Sequence, residues 1–135
     1  MDTSLIPSPR RTTGPTSGGR RWELTRNDAT VTATVGSGAV AEACVSESGE
    51  RVVVEIWAEP VDLPEDLAAA LVGEAFSLPA VRPGRPVVVC VPQRHGLVLT
   101  VARRLVRDAR VRSAGVTSLV EGRVSDLGLA RLSAT

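Results

Sequence analysis

A run of apolar residues at positions 87–91, Val-Val-Val-Cys-Val, restricts the possible folds of this chain more than any other stretch. It follows a segment at 62–78 whose leucines and alanines recur at helical spacing, and a second such segment extends over 96–108. A strand that is reached through a helical crossover pairs parallel to the strand before the helix, by a right-handed connection. Because the run is apolar on both faces, it predicts a central strand in a sheet that is covered on both sides.

Three further strands are predicted before this unit and one after it. The earlier strands alternate between apolar and other side chains and are joined by glycine-containing turns; they are residues 30–35, 39–46 and 51–58. A last strand is expected at 116–120, and residues 22–25 are a candidate for a short additional one. The predicted fold is therefore an α+β (or α/β) domain with a mixed sheet of about five strands, the order β-β-β-α-β-α-β and two helices.

The composition along the chain indicates one domain. Residues 1–20 hold three prolines and three glycines with few apolar side chains, which predicts a disordered N-terminal tail. A single mixed domain is expected at 21–122, followed by a weakly ordered tail at 123–135. Neither an apolar run of about 18 residues nor the apolar core of a signal peptide is present. With two cysteines, these features favour a cytoplasmic protein with free thiols, and the absence of lysine suggests a GC-rich bacterial genome.

The net charge of +1 conceals a strong segregation. Residues 1–26 carry five arginines against two acids (+3), residues 27–81 carry one against ten (−9), and residues 82–135 carry ten against three (+7). Such halves face each other within a fold, face each other across a dimer, or form a surface that binds polyanions. The leading hypothesis is a small cytoplasmic binding or interaction module that acts through a protein partner or a homodimer.

The element order over residues 30–120 resembles that of the acetyl-CoA-dependent N-acetyltransferases (the GNAT fold) from their second strand onward. The resemblance implies a CoA thioester as cofactor, with its pyrophosphate held by a Gly-rich basic loop before the first crossover helix. This chain instead has Glu-Pro-Val-Asp-Leu-Pro-Glu-Asp at 59–66. Asp62, Glu65 and Asp66 therefore put negative charge where a helix N-terminus would favour an anion. The resemblance implies, as an alternative function, an acyl-CoA-binding protein or acyltransferase with a non-standard cofactor site.

The loop after the apolar run, formed by Gln93, Arg94, His95 and Gly96, is the candidate ligand site. Ligands of open α/β sheets bind at the carboxyl ends of parallel strands, and this loop leads into a helix N-terminus without a nearby acid. Arg94 offers a bidentate donor and Gly96 allows a close backbone approach, so the loop would take an anionic group. In the alternative interpretation, Gln93 caps the helix while Arg94 and His95 are solvated.

A second candidate surface is the basic helix predicted at 96–108. Arg103, Arg104 and Arg107 lie on one of its faces and could contact a polyanion such as nucleic acid. The chain has no tyrosine, few aromatic residues and no recognisable motif for binding DNA or RNA, so nucleic acid is the less favoured partner. An ordinary solvated helix face is the alternative.

No catalytic or metal-binding residue is predicted. Cys44 and Cys90 lie within strands, where cysteine behaves as a small buried hydrophobe, and one histidine with two isolated cysteines lacks the spacing of a zinc site. No Gly-x-Ser-x-Gly motif is present. These observations favour a protein without a catalytic site or a cofactor. Trp57 shares a strand face with Val53 and Glu55, and the pattern leaves open whether it is core or exposed for a partner.

Overall fold

The structure is a computed structural model that describes residues 10–15, 21–36, 38–60 and 63–125. These residues form eight strands and two helices. In chain order the elements are β1 (Arg10–Pro15), β2 (Arg21–Arg26), β3 (Thr30–Val35), β4 (Gly38–Ser48), β5 (Arg51–Ala58), α1 (Glu65–Ala75), β6 (Pro86–Pro92), α2 (Gly96–Arg104), β7 (Val106–Ala114) and β8 (Thr117–Val124).

The strands form one mixed sheet in the order β1-β2-β3-β4-β5-β6-β8-β7. Neighbouring strands are antiparallel except β5 and β6, which are parallel. The mixed sheet is confirmed, but the prediction of about five strands in the order β-β-β-α-β-α-β is wrong. Two strands precede β3, and the chain after α2 forms a hairpin of two long strands.

The additional strand β1 lies inside the segment that was predicted as a disordered tail. Its sequence, Arg-Arg-Thr-Thr-Gly-Pro, has no apolar alternation. An edge strand can be held by main-chain hydrogen bonds to one neighbour, so side-chain periodicity does not reveal it. The remaining residues of 1–20 and residues 126–135 lie outside the described residues.

Both helices pack on the same face of the sheet. α1 contacts β2, β3 and β4, α2 contacts β6, β7 and β8, and the two helices contact each other. Both crossovers move in the same direction across the sheet, so right-handed connections place their helices on one side. One apolar core lies between helices and sheet, with Leu24, Leu71, Phe76 and Val89 among its fully buried side chains. Each such side chain stabilises the fold by about 2 kcal/mol.

The opposite face of the sheet carries no helix in the described part of the chain, and we call it the open face. The prediction that residues 87–91 are covered on both sides is therefore wrong. Val87, Val89 and Val91 lie in the core, whereas Val88 and Cys90 point to the open face. Val88 is only 8% exposed because strands on both sides of β6 shield it.

α2 ends at Arg104, four residues before the predicted end at 108, and β7 begins at Val106. The main-chain carbonyl of Leu105 accepts a hydrogen bond from the N–H of Ser125 at 2.9 Å. Ser125 directly follows β8, so this bond ties the end of α2 to the end of β8. The chain then continues directly into β7.

A β-bulge lies in β7 between Arg107 and Arg110. Asp108 within it has a φ of 57°, a left-handed conformation that is uncommon outside glycine but tolerated by aspartate. The bulge packs against Gly122 of β8, where a Cβ atom would lie 2.4 Å from the main-chain oxygen of Arg107. The close approach of the two strands therefore requires glycine at this position.

Candidate functional site

The predicted ligand loop connects β6 to α2 and lines a cavity of about 340 Å³; the lining residues are Leu63, Arg94, His95, Gly96, Leu97 and Val98. Arg94 is exposed, whereas His95 is only 6% exposed. The Nε2 atom of His95 lies 2.9 Å from the main-chain oxygen of Glu59. The histidine thus links the loop after β6 to the loop after β5.

The alternative interpretation of this loop is wrong in two respects. Gln93 does not cap α2, because its side-chain amide donates to the main-chain oxygen of Gly115 at 3.1 Å. His95 is buried and hydrogen-bonded instead of solvated. The structure brings Arg94, His95 and Gly96 to one cavity and directs Gln93 to the β7–β8 turn. An anionic ligand at Gln93–Gly96 remains a prediction, supported by an α2 first turn that contains no acid.

The first turn of α1 has the opposite charge. Glu65 and Asp66 both lie in it, and the preceding residue, Pro64, makes no side-chain capping bond. The indole N–H of Trp22 donates to Asp66 Oδ2 at 3.0 Å, so this carboxylate fixes the buried tryptophan beneath the helix. Asp62 lies outside the described residues. Negative charge at this turn disfavours a bound pyrophosphate.

The structure separates the three arginines predicted to bind polyanions. Arg103 and Arg104 are exposed at the end of α2 and line a groove of about 470 Å³ with Thr100, Val106 and Ala109. Arg107 belongs to β7, where it pairs with Arg123 on the open face. The prediction of a continuous basic helix over 96–108 is therefore wrong, because the last four of those residues lie outside α2.

β5 and β6 pair only along their first halves. The parallel ladder ends at Glu55 and Cys90, although β5 continues to Ala58 and β6 to Pro92. A cavity of about 310 Å³ opens on the open face where the pairing ends; it is lined by Glu42, Cys44, Glu55, Ile56, Trp57, Cys90, Pro92 and Thr117. The end of the ladder and the cavity beside it together indicate that the two strands separate here.

An apolar patch runs across the centre of the open face. Val53 of β5 is paired with Val88 of β6, and Cys90 of β6 is paired with Leu119 of β8. Trp57 stands at the edge of this patch and is 50% exposed. The sequence left the burial of Trp57 undecided, and the structure places it on the surface.

The two cysteines lie on the open face on either side of β5. Both are paired with Glu55, so their Cα atoms are separated by two strand spacings, about 10 Å, which exceeds the reach of a disulfide. Desolvation and the carboxylate of Glu42 raise the pKa of the Cys44 thiol. Desolvation and Glu55 likewise raise the pKa of Cys90. Both thiols are therefore poor nucleophiles near neutral pH.

Charge is also divided across the open face, which sequence reasoning missed. The carboxylates of Glu23, Glu42 and Glu55 lie on β2, β4 and β5. Four arginines lie on β7 and β8 together with Glu121 of β8; they are Arg107, Arg110, Arg112 and Arg123. Two more arginines, Arg21 and Arg51, are the first residues of β2 and β5. Charge segregation along the sequence was a signal for this arrangement, but the pairing of β7 with β8 was needed to locate it.

Two further findings concern the described residues. No group of three His, Cys, Asp or Glu side chains in them is arranged to hold a metal ion. Neither helix has the length and apolar character that are needed to cross a membrane.

No family model matches this chain, and no curated protein sequence matches it. A solved structure of a "putative acetyltransferase" from Sphaerobacter thermophilus DSM 20745 is similar, with a TM-score of 0.42 and 13% sequence identity. The match covers 68% of this chain and 65% of that one, so it spans less than two thirds of the other protein. At this level of similarity the match carries no argument about fold or function.

Proposed function

We propose that this chain is a small interaction module without a catalytic site, which binds a protein surface through the open face of its sheet. The observation that carries the proposal is Trp57, a large apolar side chain that is 50% exposed beside the apolar patch of a face that none of the described helices covers. Exposed apolar patches mark interaction sites, and tryptophan is enriched among the residues that dominate binding energy at interfaces.

The candidate chemical groups support a role without catalysis. Cys44 and Cys90 are disfavoured as nucleophiles by their raised pKa values. His95 is buried and hydrogen-bonded to a main-chain oxygen that positions its ring between two loops. A structural role accounts for this histidine without a substrate.

An acyl-CoA ligand is a second candidate, because the separation of β5 and β6 leaves a cavity of about 310 Å³ between them. The carboxylates of Glu65 and Asp66 at the start of α1 count against it. Binding of acetyl-CoA therefore decides between the two candidates.

The interaction proposal is tested by removing the apolar contact surface. Trp57→Ser combined with Leu119→Gln changes two side chains of the open face. Leu97→Ser is the matched control, since Leu97 is 45% exposed and lies on α2, on the other side of the sheet. Chemical cross-linking in the cells of origin, followed by mass measurement of the purified chain, reports association.

We expect the wild-type chain and Leu97→Ser to give the same discrete cross-linked species, and the double variant to give the chain alone. Thermal unfolding of the double variant checks that it remains folded. A wild-type chain that is never cross-linked would contradict the proposal, as would a double variant that retains the species.

A further inference from the structure

We infer that the surface bound by the open face is the open face of a second copy, related to the first by a twofold axis that lies between the two sheets, parallel to their planes. The inference rests on the proposed function, and it names the partner. A twofold interface uses the same patch on both subunits, so the patch must be complementary to itself.

The distribution of charge meets this requirement. One side of the open face carries Glu42 and Glu55, and the other side carries the arginines of β7 and β8. An axis that passes near β6 and runs closer to the strand direction than across it turns the open face over and exchanges its two sides. Each acidic side would then lie against the basic side of the other copy, whereas an axis at right angles to the strands would put like charges together.

Several of these charges form no ion pair with another described residue. Among the described residues, Glu55, Arg107 and Arg110 form no ion pair, while Arg112 is bonded to Glu121 through Nε at 3.0 Å. Arg21 and Arg51 reduce the charge of the acidic side, and Glu121 reduces that of the basic side. The unpaired charges are therefore available to another molecule.

The apolar patch lies where the axis would pass. Val53 and Leu119, which are partly exposed, lie on β5 and β8 on either side of β6, and Val88 of β6 lies between them with 8% exposure. Residues near a twofold axis meet their own counterparts, and apolar side chains can do so without charge repulsion. An apolar centre with a polar rim is also the usual organisation of a protein interface.

The size of the face fits a dimer of moderate stability. Seven strands, β2 to β8, at a spacing of about 4.8 Å and with lengths of about 20 Å give a projected area of about 600 Å². A standard interface buries about 800 Å² of accessible surface on each partner. Two sheets packed in this way form a sandwich whose inner layer is the pair of open faces.

Charge reversal on each side tests the inference. One variant carries Glu42→Arg and Glu55→Arg, and the other carries Arg107→Glu and Arg110→Glu. Light scattering during gel filtration and sedimentation velocity measure the mass of each protein alone and of the equimolar mixture. Arg103→Glu with Arg104→Glu is the control, because it makes the same change of charge on α2, away from the open face.

We expect the wild type and the control to be dimers, and each open-face variant to be a monomer. The mixture of the two variants should form a heterodimer, since both acid–base contacts are restored with reversed sign. This rescue also demonstrates that neither variant failed to fold. High salt should weaken the wild-type dimer.

Other outcomes would overturn the inference. A monomeric wild type that is cross-linked to a different protein through Trp57 would refute the second copy and leave the proposed function intact. A wild type that is monomeric and never cross-linked would refute both. Variants that remain dimers would place the interface elsewhere, and a mixture that remains monomeric would refute the acid-on-base arrangement.

Discussion

Replacement of Gly122 by alanine should destabilise the β7–β8 hairpin and with it the whole domain. The added Cβ atom would lie 2.4 Å from the main-chain oxygen of Arg107 and 2.5 Å from Cγ1 of Val106. Ordinary contacts of this kind are about 3.5 Å, so one strand must move by about 1 Å. The nearest atom belongs to the backbone of the bulge, which cannot rotate away as a flexible side chain would.

The magnitude follows from two opposing terms. Overpacking of a tight site costs about 1–3 kcal/mol, and a backbone neighbour favours the upper end of that range. Alanine also restricts the unfolded chain more than glycine does, which returns about 0.4–1 kcal/mol. We therefore expect Gly122→Ala to lower the free energy of unfolding by about 2 kcal/mol.

Urea denaturation followed by circular dichroism measures this change. With a slope of about 2 kcal/mol per molar, the midpoint should fall by about 1 M. Gly38→Ala is the matched control, because Gly38 is also a strand glycine but has no atom within 4 Å of its Cβ position. It should be neutral or slightly stabilising. Equal stability of Gly122→Ala and wild type would refute the reasoning that the bulge excludes a side chain.

Three other predictions have defined outcomes. His95→Ala should lower the free energy of unfolding by about 2–3 kcal/mol, because it leaves a void and removes the hydrogen-bond partner of the Glu59 carbonyl. Thermal unfolding measures this change, and unchanged stability would mean that other contacts hold the loop. Alkylation of Cys44 should be slow near neutral pH and continue to accelerate above the ordinary thiol pKa of 9.0, since its pKa is raised. Glu42→Gln should speed the reaction at fixed pH, and equal rates would contradict the electrostatic cause. Acetyl-CoA titrated in a calorimeter should give no binding heat, because the carboxylates at the start of α1 disfavour its phosphates, and saturable binding would support the acyl-CoA candidate.

The sequence predicts those strands whose residues alternate between core and surface. β3 and β5 do so regularly, and their predicted bounds, 30–35 and 51–58, agree with the structure. β7 does not, because its apolar and arginine residues also fit helical spacing when they are read as a continuation of α2. A local pattern cannot separate these interpretations, since the strand is fixed by its pairing with β8.

The open face could not be predicted for a related reason. A strand that is apolar on both faces, such as residues 87–91, has the same sequence signal whether its second face lies under a layer of helices or belongs to an open face. Likewise, nothing near His95 in the sequence indicates its contact with Glu59, which is 36 residues away. Both features depend on which strands are neighbours, and that information is absent from local periodicity.

The bulge in β7 decides which side of the sheet its arginines occupy. Val106 is 5% exposed in the core, so in a regular strand every second residue after it would also face the core, including Arg110 and Arg112. The extra residue at the bulge reverses this parity, and both arginines join Arg107 on the outside. The number of residues between Val106 and Arg110 therefore fixes the side of the sheet on which these arginines lie. Deletion of one residue there would leave the composition nearly unchanged and turn half of the strand inside out, so this surface depends on the length of the segment as well as on its residues.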